Sequence, residues 1–289
     1  MSFLKVEGLT HIFGEGTPYS KTAIKNVSFS LEKGEILGVI GHTGSGKSTL
    51  VSHLNGLMKA TSGKVLIDNK DIWENPKEIK KVRSKVGLVF QYPEYQLFEE
   101  TVFKDIAFGP KNIGMTDAEV NNSVLNAAKL MKIRDELLEK SPFDLSGGQK
   151  RRVAIAGVMA MEPEVIVFDE PTAGLDPKGR ETIFKAIYDY RKEHNATVVI
   201  VSHSMEDIAA VCDKVLVMNG GEVALFGTTR EVFSNLDDLK NMGLNVPLIT
   251  NVMLELKNKY KELDANVLTV DEAVNSLLKL LNKEGKENA

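Results

Sequence analysis

Residues 41–48 read Gly41-His42-Thr43-Gly44-Ser45-Gly46-Lys47-Ser48, a complete G-x-x-x-x-G-K-S pattern. The apolar run 36–40 (ILGVI) precedes it as a buried strand, and Ser48-Thr49-Leu50-Val51 opens a helical pattern behind it. That strand–loop–helix order is what a phosphate-cradling loop requires. Glycines let the backbone turn tightly, so that successive N–H groups point inward at anionic oxygens. The helix start adds partial positive charge, Lys47 neutralises the outer phosphates, and the Ser48 hydroxyl is a ligand for Mg²⁺. A glycine-rich turn without a ligand would not need those flanks. The stretch therefore predicts a nucleoside triphosphate site at the end of a strand in an α/β core.

Composition bounds what surrounds the loop. A chain of 289 residues is long enough for one or two domains. Lys+Arg 36 against Asp+Glu 40 gives a net charge of −4, a poor footprint for a general nucleic-acid binder, and none is expected. One cysteine, Cys212, excludes an intramolecular disulfide and sits in an apolar run, so it reads as core. No apolar stretch approaches the ~18–20 residues that span a bilayer, and the N-terminus lacks a secretory apolar region. The expectation is a cytoplasmic protein that reaches a membrane only through other proteins.

Along the chain, strands are expected at 3–7, 27–31, 36–40, 64–67 and 86–90. From about 92 to 160 the pattern turns helical, an insertion into the core. Strands return at 165–168 and 197–201, followed by a hairpin around Asn219-Gly220-Gly221. Strands alternating with helices imply a parallel sheet. Beyond 229, Ile249, Val252, Met253, Leu256 and Tyr260 recur at helical spacing, and Thr269-Val270-Asp271-Glu272 reads as a capping box before a second amphipathic helix. The expected division is 1–229 for the nucleotide-binding unit and 230–289 for a helical extension. Its apolar stripes either pack on the parent domain or form a dimerisation surface.

Further motifs complete the chemistry. In Leu145-Ser146-Gly147-Gly148-Gln149, Ser146 and Gln149 form a capping box, and the two glycines let the helix start approach an anion. A second phosphate grip in a chain with a full phosphate loop suggests a nucleotide held between two subunits. The strand 165–168 runs into Asp169 and Glu170, which would lie on opposite faces if the strand continued. Asp169 is expected on Mg²⁺ and Glu170 on the attacking water. His203 ends another buried strand, at the strand end where α/β ligands bind. Gln91 follows the strand 86–90, and Asp176 sits in Ala173-Gly174-Leu175-Asp176, a loop able to cross to a partner.

Together these motifs, in this order over roughly 3–229, resemble the ATP-binding cassette ATPases. The resemblance implies an α/β nucleotide-binding domain with an N-terminal antiparallel β subdomain, an inserted helical subdomain and a C-terminal helical extension. It implies ATP and Mg²⁺ as ligands, and two subunits closing head-to-tail, the phosphate loop of one facing LSGGQ of the other. It places Gly41, His42, Thr43, Gly44, Ser45, Gly46, Lys47, Ser48 and Thr49 at the phosphates, with Ser146, Gly147, Gly148, Gln149 and Asp176 reaching the nucleotide across the dimer. Ser48, Gln91 and Asp169 fall on the metal, Glu170 is the catalytic carboxylate, and His203 is the switch. Phe13 matches the adenine-stacking position, where tyrosine is more usual, with Tyr19 the alternative.

The segment Gln91-Tyr92-Pro93-Glu94-Tyr95-Gln96-Leu97-Phe98 and its continuation to Asn112 look like the ATP-binding subunits of energy-coupling factor transporters, which import vitamins or metal ions. Gly41-His42-Thr43-Gly44 and the longer loop 14–20 are similar to the second of two homologous ATPases in that group. The resemblance implies a heterodimer, a transmembrane T component docking on residues 92–112, and an S component reached indirectly. Tyr92, Tyr95, Leu97 and Phe98 would offer the rigid apolar contacts. The alternatives are a soluble cassette ATPase acting on DNA or ribosomes, or the ATPase of another transporter. The stretch between Lys47 and Asp169 lacks the sustained heptads of DNA-associated members.

Overall fold

The computed structural model describes residues 2–287. The chain begins with two long strands, β1 (Ser2–Phe13) and β2 (Lys21–Glu32), followed by β3 (Ile36–Ile40) and helix α1 (Lys47–Leu54). Next come β4 (Ser62–Ile67), β5 (Lys70–Asp71), α2 (Ile79–Lys85) and β6 (Val86–Val89). Three helices follow, α3 (Val102–Asn112), α4 (Asp117–Leu130) and α5 (Gly147–Met159), before β7 (Val165–Asp169). The core closes with α6 (Pro177–His194), β8 (Thr197–Val201), α7 (Met205–Val211) and the hairpin β9 (Lys214–Asn219) and β10 (Glu222–Thr228). Helices α8 (Thr229–Ser234), α9 (Leu236–Asn241), α10 (Leu248–Lys259) and α11 (Val270–Glu287) end the described chain.

The strands form two sheets. An antiparallel sheet has the order β2-β1-β4-β5, and a second sheet the order β10-β9-β3-β8-β7-β6. In the second, β9, β3, β8, β7 and β6 are mutually parallel, and β10 joins by the antiparallel hairpin. Apart from end residues such as Asp169, Thr197, Lys214 and Asn219, the parallel strands are apolar because both faces are covered. Leu37, Val39, Val165, Val167, Val199 and Val201 face α1 and the antiparallel sheet. Their alternating neighbours Ile36, Ile40, Ile166, Phe168, Val198 and Ile200 face the helical side. Parallel pairing brings all five carboxyl ends to one edge, and the chain's polar motifs follow those ends.

Several expectations shift in detail. β1 and β2 extend to 12 residues each, longer than 3–7 and 27–31, because bulged pairing carries the hairpin out to Phe13 opposite Lys21. The capping box at Thr269 is only half formed. Glu272 N–H donates to Thr269 Oγ1 at 3.3 Å, but the Glu272 carboxylate accepts from Leu268 N–H at 2.8 Å and pairs with Arg230 at 2.7 Å. A nearby cation and an earlier amide thus outcompete the reciprocal cap. Val232, Phe233, Leu239, Leu244 and Val246 belong to the large core, whereas Met253, Leu263, Ala265, Val267 and Ala273 make a separate small cluster.

Gly38, in the middle of β3, lets α7 lie directly on the sheet. A Cβ there would stand 2.7 Å from Ile208 Cγ2 and 3.0 Å from Cys212 Sγ. Cys212 is the buried, free thiol of this contact. Gly38→Ala is therefore expected to lower stability by about 1–3 kcal/mol through overpacking. Chemical denaturation of the variant checks this, and an unchanged midpoint would show that α7 moves away at little cost.

Candidate active site

The phosphate loop joins β3 to α1. Gly46 is the N-cap of α1 with φ 102°, and a Cβ there would lie 2.8 Å from the Ala23 carbonyl oxygen. Gly44, at φ 80°, has nothing within 4 Å of its missing Cβ, so the loop opens toward the cleft at that point. Lys47 is buried and folded back on the loop, donating from Nζ to the Gly41 carbonyl at 2.7 Å and the His42 carbonyl at 3.0 Å. Burial holds its ammonium below the usual lysine range, while the charges of Glu170 and Asp169 pull the other way. The Ser45 hydroxyl is fully buried without a hydrogen-bond partner among the described residues.

The acidic pair departs from the expected strand geometry. β7 stops at Asp169, and Glu170 turns into the left-handed region with φ 53°, where a residue with a side chain is strained. The two carboxylates therefore do not lie on opposite faces of a continuing strand. Both line the same cleft. Burial raises both acids, and for Glu170 burial together with the Asp169 charge brings the value up to about 7. Glu170 Oε1 is buried with no hydrogen-bond partner among the described residues. His203 Nε2 stands 3.6 Å from it, too long for a hydrogen bond. Partial burial and the charge of Lys47 keep that imidazole below its ordinary range.

These groups surround a cleft of about 560 Å³ lined by Phe13, Thr43, Gly44, Gly46, Lys47, Ser48, Thr49, Gln91, Asp169, Glu170 and His203. Phe13 lies at one end of it, 45% exposed, while Tyr19 is 90% exposed and is not among the lining residues. Gly41, His42 and Ser45 shape the loop from outside. His42 is held through Nε2 and Asn219 Oδ1 at 3.1 Å. Sequence reasoning missed the hairpin turn: Gly220 and Gly221 line the cleft, and Gly221 N–H donates to the Ser45 carbonyl at 3.1 Å. Its signal was Asn219-Gly220-Gly221 at the end of a strand beside β3, legible as a turn but not as a wall.

Ser146, Gly148, Gln149 and Asp176 form a second cleft of about 510 Å³ with Arg152, apart from the first. Ser146 caps α5: its Oγ accepts from Gln149 N–H at 3.4 Å, and Gln149 Oε1 accepts from Ser146 N–H at 2.9 Å. Gly147 and Gly148 open the first turn of that helix. Asp176 caps α6, its Oδ1 accepting from Gly179 N–H at 2.7 Å. One chain thus carries two half-sites that its own fold keeps apart.

Arg151, one turn into α5 and 3% exposed, ties three motifs together. Its Nε and Nη2 donate to the two Glu94 oxygens at 2.9 and 2.6 Å. Nη1 donates to the Ala173 carbonyl, and the guanidinium lies 5.6 Å from the centre of the Tyr92 ring. Glu94 and Tyr92 belong to the segment after Gln91, and Ala173 to the loop that leads to Asp176.

A sequence model of the ABC transporter family matches residues 24–173. The fold and the two half-sites define an ATP-binding cassette, and the chain belongs to the ABC transporter ATPases. Among curated relatives, the energy-coupling factor transporter ATP-binding protein EcfA2 of Caldanaerobacter subterraneus subsp. tengcongensis is 51% identical over 96% of this chain and 97% of its own length. EcfA2 of Clostridium tetani is 50% identical over 97% of this chain and 98% of its own. Among solved structures, cbiO1 from Clostridium perfringens, part of the ABC transporter complex cbiONQ, is similar with 40% identity and a TM-score of 0.74. That match covers 88% of this chain and 100% of that one. A post-hydrolysis dimer of the ATP-binding cassette MJ0796 with ADP and Pi matches with 30% identity and a TM-score of 0.70, over 78% of this chain and 98% of that one. Within the ABC family, the chain is one of the energy-coupling factor transporter ATP-binding proteins.

Removing the buried Arg151 guanidinium leaves the partly buried Glu94 carboxylate unpaired. Arg151→Met is expected to lower stability by roughly 3 kcal/mol, and adding Glu94→Leu to recover much of that loss. Denaturant titrations of the single and double variants read the difference directly.

Proposed function

We propose that this chain is the ATP-hydrolysing subunit of an energy-coupling factor importer, working at the cytoplasmic face of a membrane. Identity near 50% over almost the whole length to proteins of that name carries the reading. No helix among the described residues is long and apolar enough to cross a membrane, which fits a peripheral subunit. The vitamin or metal ion would be bound by a separate S component.

In the nucleotide cleft, Phe13 stacks on adenine and the loop 41–49 takes the phosphates. Lys47 exchanges its two backbone carbonyls for phosphate oxygens. Ser48, Gln91 and Asp169 fit a small hard cation: a hydroxyl, an amide oxygen and one carboxylate leave room for water and phosphate ligands. Mg²⁺ held there would offset the negative charge of the phosphates. Glu170, with its unpartnered buried oxygen and raised pKa, orients and polarises the attacking water, and His203 holds that arrangement near the γ-phosphate. The Ser146 oxygen already accepts within its cap, so its O–H remains a donor for a phosphate. With the amides of Gly147 and Gly148, it would grip the γ-phosphate in the partner's cleft. A relative solved as a dimer with ADP and Pi supports this pairing. The partner is a homologous ATPase, as a heterodimer, and the helical extension 230–289 contributes to the contact.

The membrane component would dock in a groove of about 760 Å³ between α3, α5 and the sheet, beside the segment after Gln91. Phe98 and Phe108 line it edge-to-face at 4.9 Å, both exposed, with Phe90 and Ile113 nearby. Leu97, expected among the contacts, lines the groove but is only 9% exposed and also belongs to the large core; Tyr92 and Tyr95 lie outside the groove lining. The Asp105 carboxylate fixes the groove wall by accepting from Phe98 and Glu99 N–H at 3.4 and 3.1 Å. Movement at Gln91 would pass through Glu94 and Arg151 to this groove.

Glu170→Gln is expected to keep ATP binding and to lower turnover by about 10²–10⁴-fold. Single-turnover hydrolysis by the purified full chain measures it, and undiminished hydrolysis would remove Glu170 from the reaction. Phe98→Ala with Phe108→Ala is expected to leave ATP binding by the isolated chain intact and to abolish co-purification with membrane proteins from detergent extracts. Unchanged co-purification would place the docking elsewhere.

A further inference from the structure

Three aromatic rings join the far end of the nucleotide cleft to the phosphate-loop helix. Phe13, at the end of β1, lines the cleft yet is 45% exposed, so the core does not hold it. The His11 ring meets Phe13 edge-on, with centroids 4.6 Å apart and planes at 79°. His11 Nδ1 in turn lies 3.2 Å from Nε2 of His53, which is 1% exposed on α1.

The Thr49 carbonyl gives this chain a direction in the neutral His53 ring. His53 Nδ1 faces the Thr49 carbonyl at 2.7 Å, so in a neutral ring that nitrogen carries the hydrogen. Burial favours the neutral ring. In that tautomer Nε2 is an acceptor, and the side-chain donor that meets it is the Nδ1–H of His11 at 3.2 Å, with the Lys59 backbone also beside the ring. A buried acceptor left unmet is costly, so the bond fixes the His11 ring plane, and that plane supports Phe13. Thr49 itself lines the nucleotide cleft from the first turn of α1.

We infer that His11 and His53 are positioning residues for the nucleobase: they hold Phe13 as a preformed platform and anchor it to the helix that carries the phosphate loop. The inference rests on the reading of Phe13 as the adenine contact. An exposed aromatic side chain otherwise loses rotamer freedom when a base stacks on it, and preorganisation removes that loss. The pair therefore acts on the base-dependent part of affinity and leaves the phosphate-dependent part alone.

The test is calorimetric titration of the full-length chain with ATP and with inorganic tripolyphosphate, both with Mg²⁺, for His11→Ala, Phe13→Ala and the double variant. His11→Ala is expected to weaken ATP by about three- to tenfold, the scale of one aromatic edge contact, with tripolyphosphate unchanged within about twofold. In the Phe13→Ala background, His11→Ala should have no further effect on ATP, because its action passes through the lost ring. Equal weakening of both ligands, or additive losses in the double variant, would overturn the positioning role while leaving Phe13 as the base contact. A Phe13→Ala chain that keeps the wild-type ratio of ATP to tripolyphosphate affinity would overturn the stacking reading and the inference with it.

Discussion

The constraint on which the molecule depends is burial of the parallel ladder β9-β3-β8-β7-β6 on both faces. A strand covered on both sides cannot place polar groups along its length, so polarity is confined to its ends. Parallel pairing then puts every carboxyl end at one edge. Ile40 leads into the phosphate loop, Phe168 into the acids, Val201 toward His203, and Met218 into the glycine turn that supports Ser45. These polar groups meet because the apolar strands between them leave polarity only at the strand ends.

At that edge the structure keeps polarity unsatisfied. Among the described residues, Lys47 is bonded to loop carbonyls, Glu170 has a buried oxygen without a partner and a left-handed backbone, and Ser45 has a buried hydroxyl without one. Each such feature costs on the order of 1–3 kcal/mol and persists only because rigid surroundings impose it. The apolar sheet supplies that rigidity. The raised pKa of Glu170 has the same origin, since the walls that bury it also bring Asp169 close.

The second half-site works differently. Ser146 and Asp176 both cap helices of their own chain, so their positions are fixed before any partner arrives. Arg151 locks the first of these helices to Glu94 and to the loop before Asp176. Ser146 and Asp176 are thus held as stiffly as the groups in the first cleft. One buried guanidinium links them to the segment that borders the apolar groove.

The sequence by itself determined what local chemistry dictates. The phosphate loop, the Ser146–Gln149 capping box, the apolar strands and the acids behind β7 follow from glycine conformation, capping and two-sided burial, each expressed within a few residues. Other features were decided only by tertiary structure. Glu170 turns at φ 53° instead of extending the strand, Glu272 leaves its expected cap for Leu268 and Arg230, and Phe108 lies exposed in the groove whose wall Leu97 joins from the core. Each depends on a partner distant in sequence, as do the pairings of Arg151 with Glu94 and of His53 with His11. Periodicity and motif spacing record which residues are apolar and where the chain can turn. Which of two polar groups wins a shared partner is a contest between separate segments, and only the folded chain brings the contestants together.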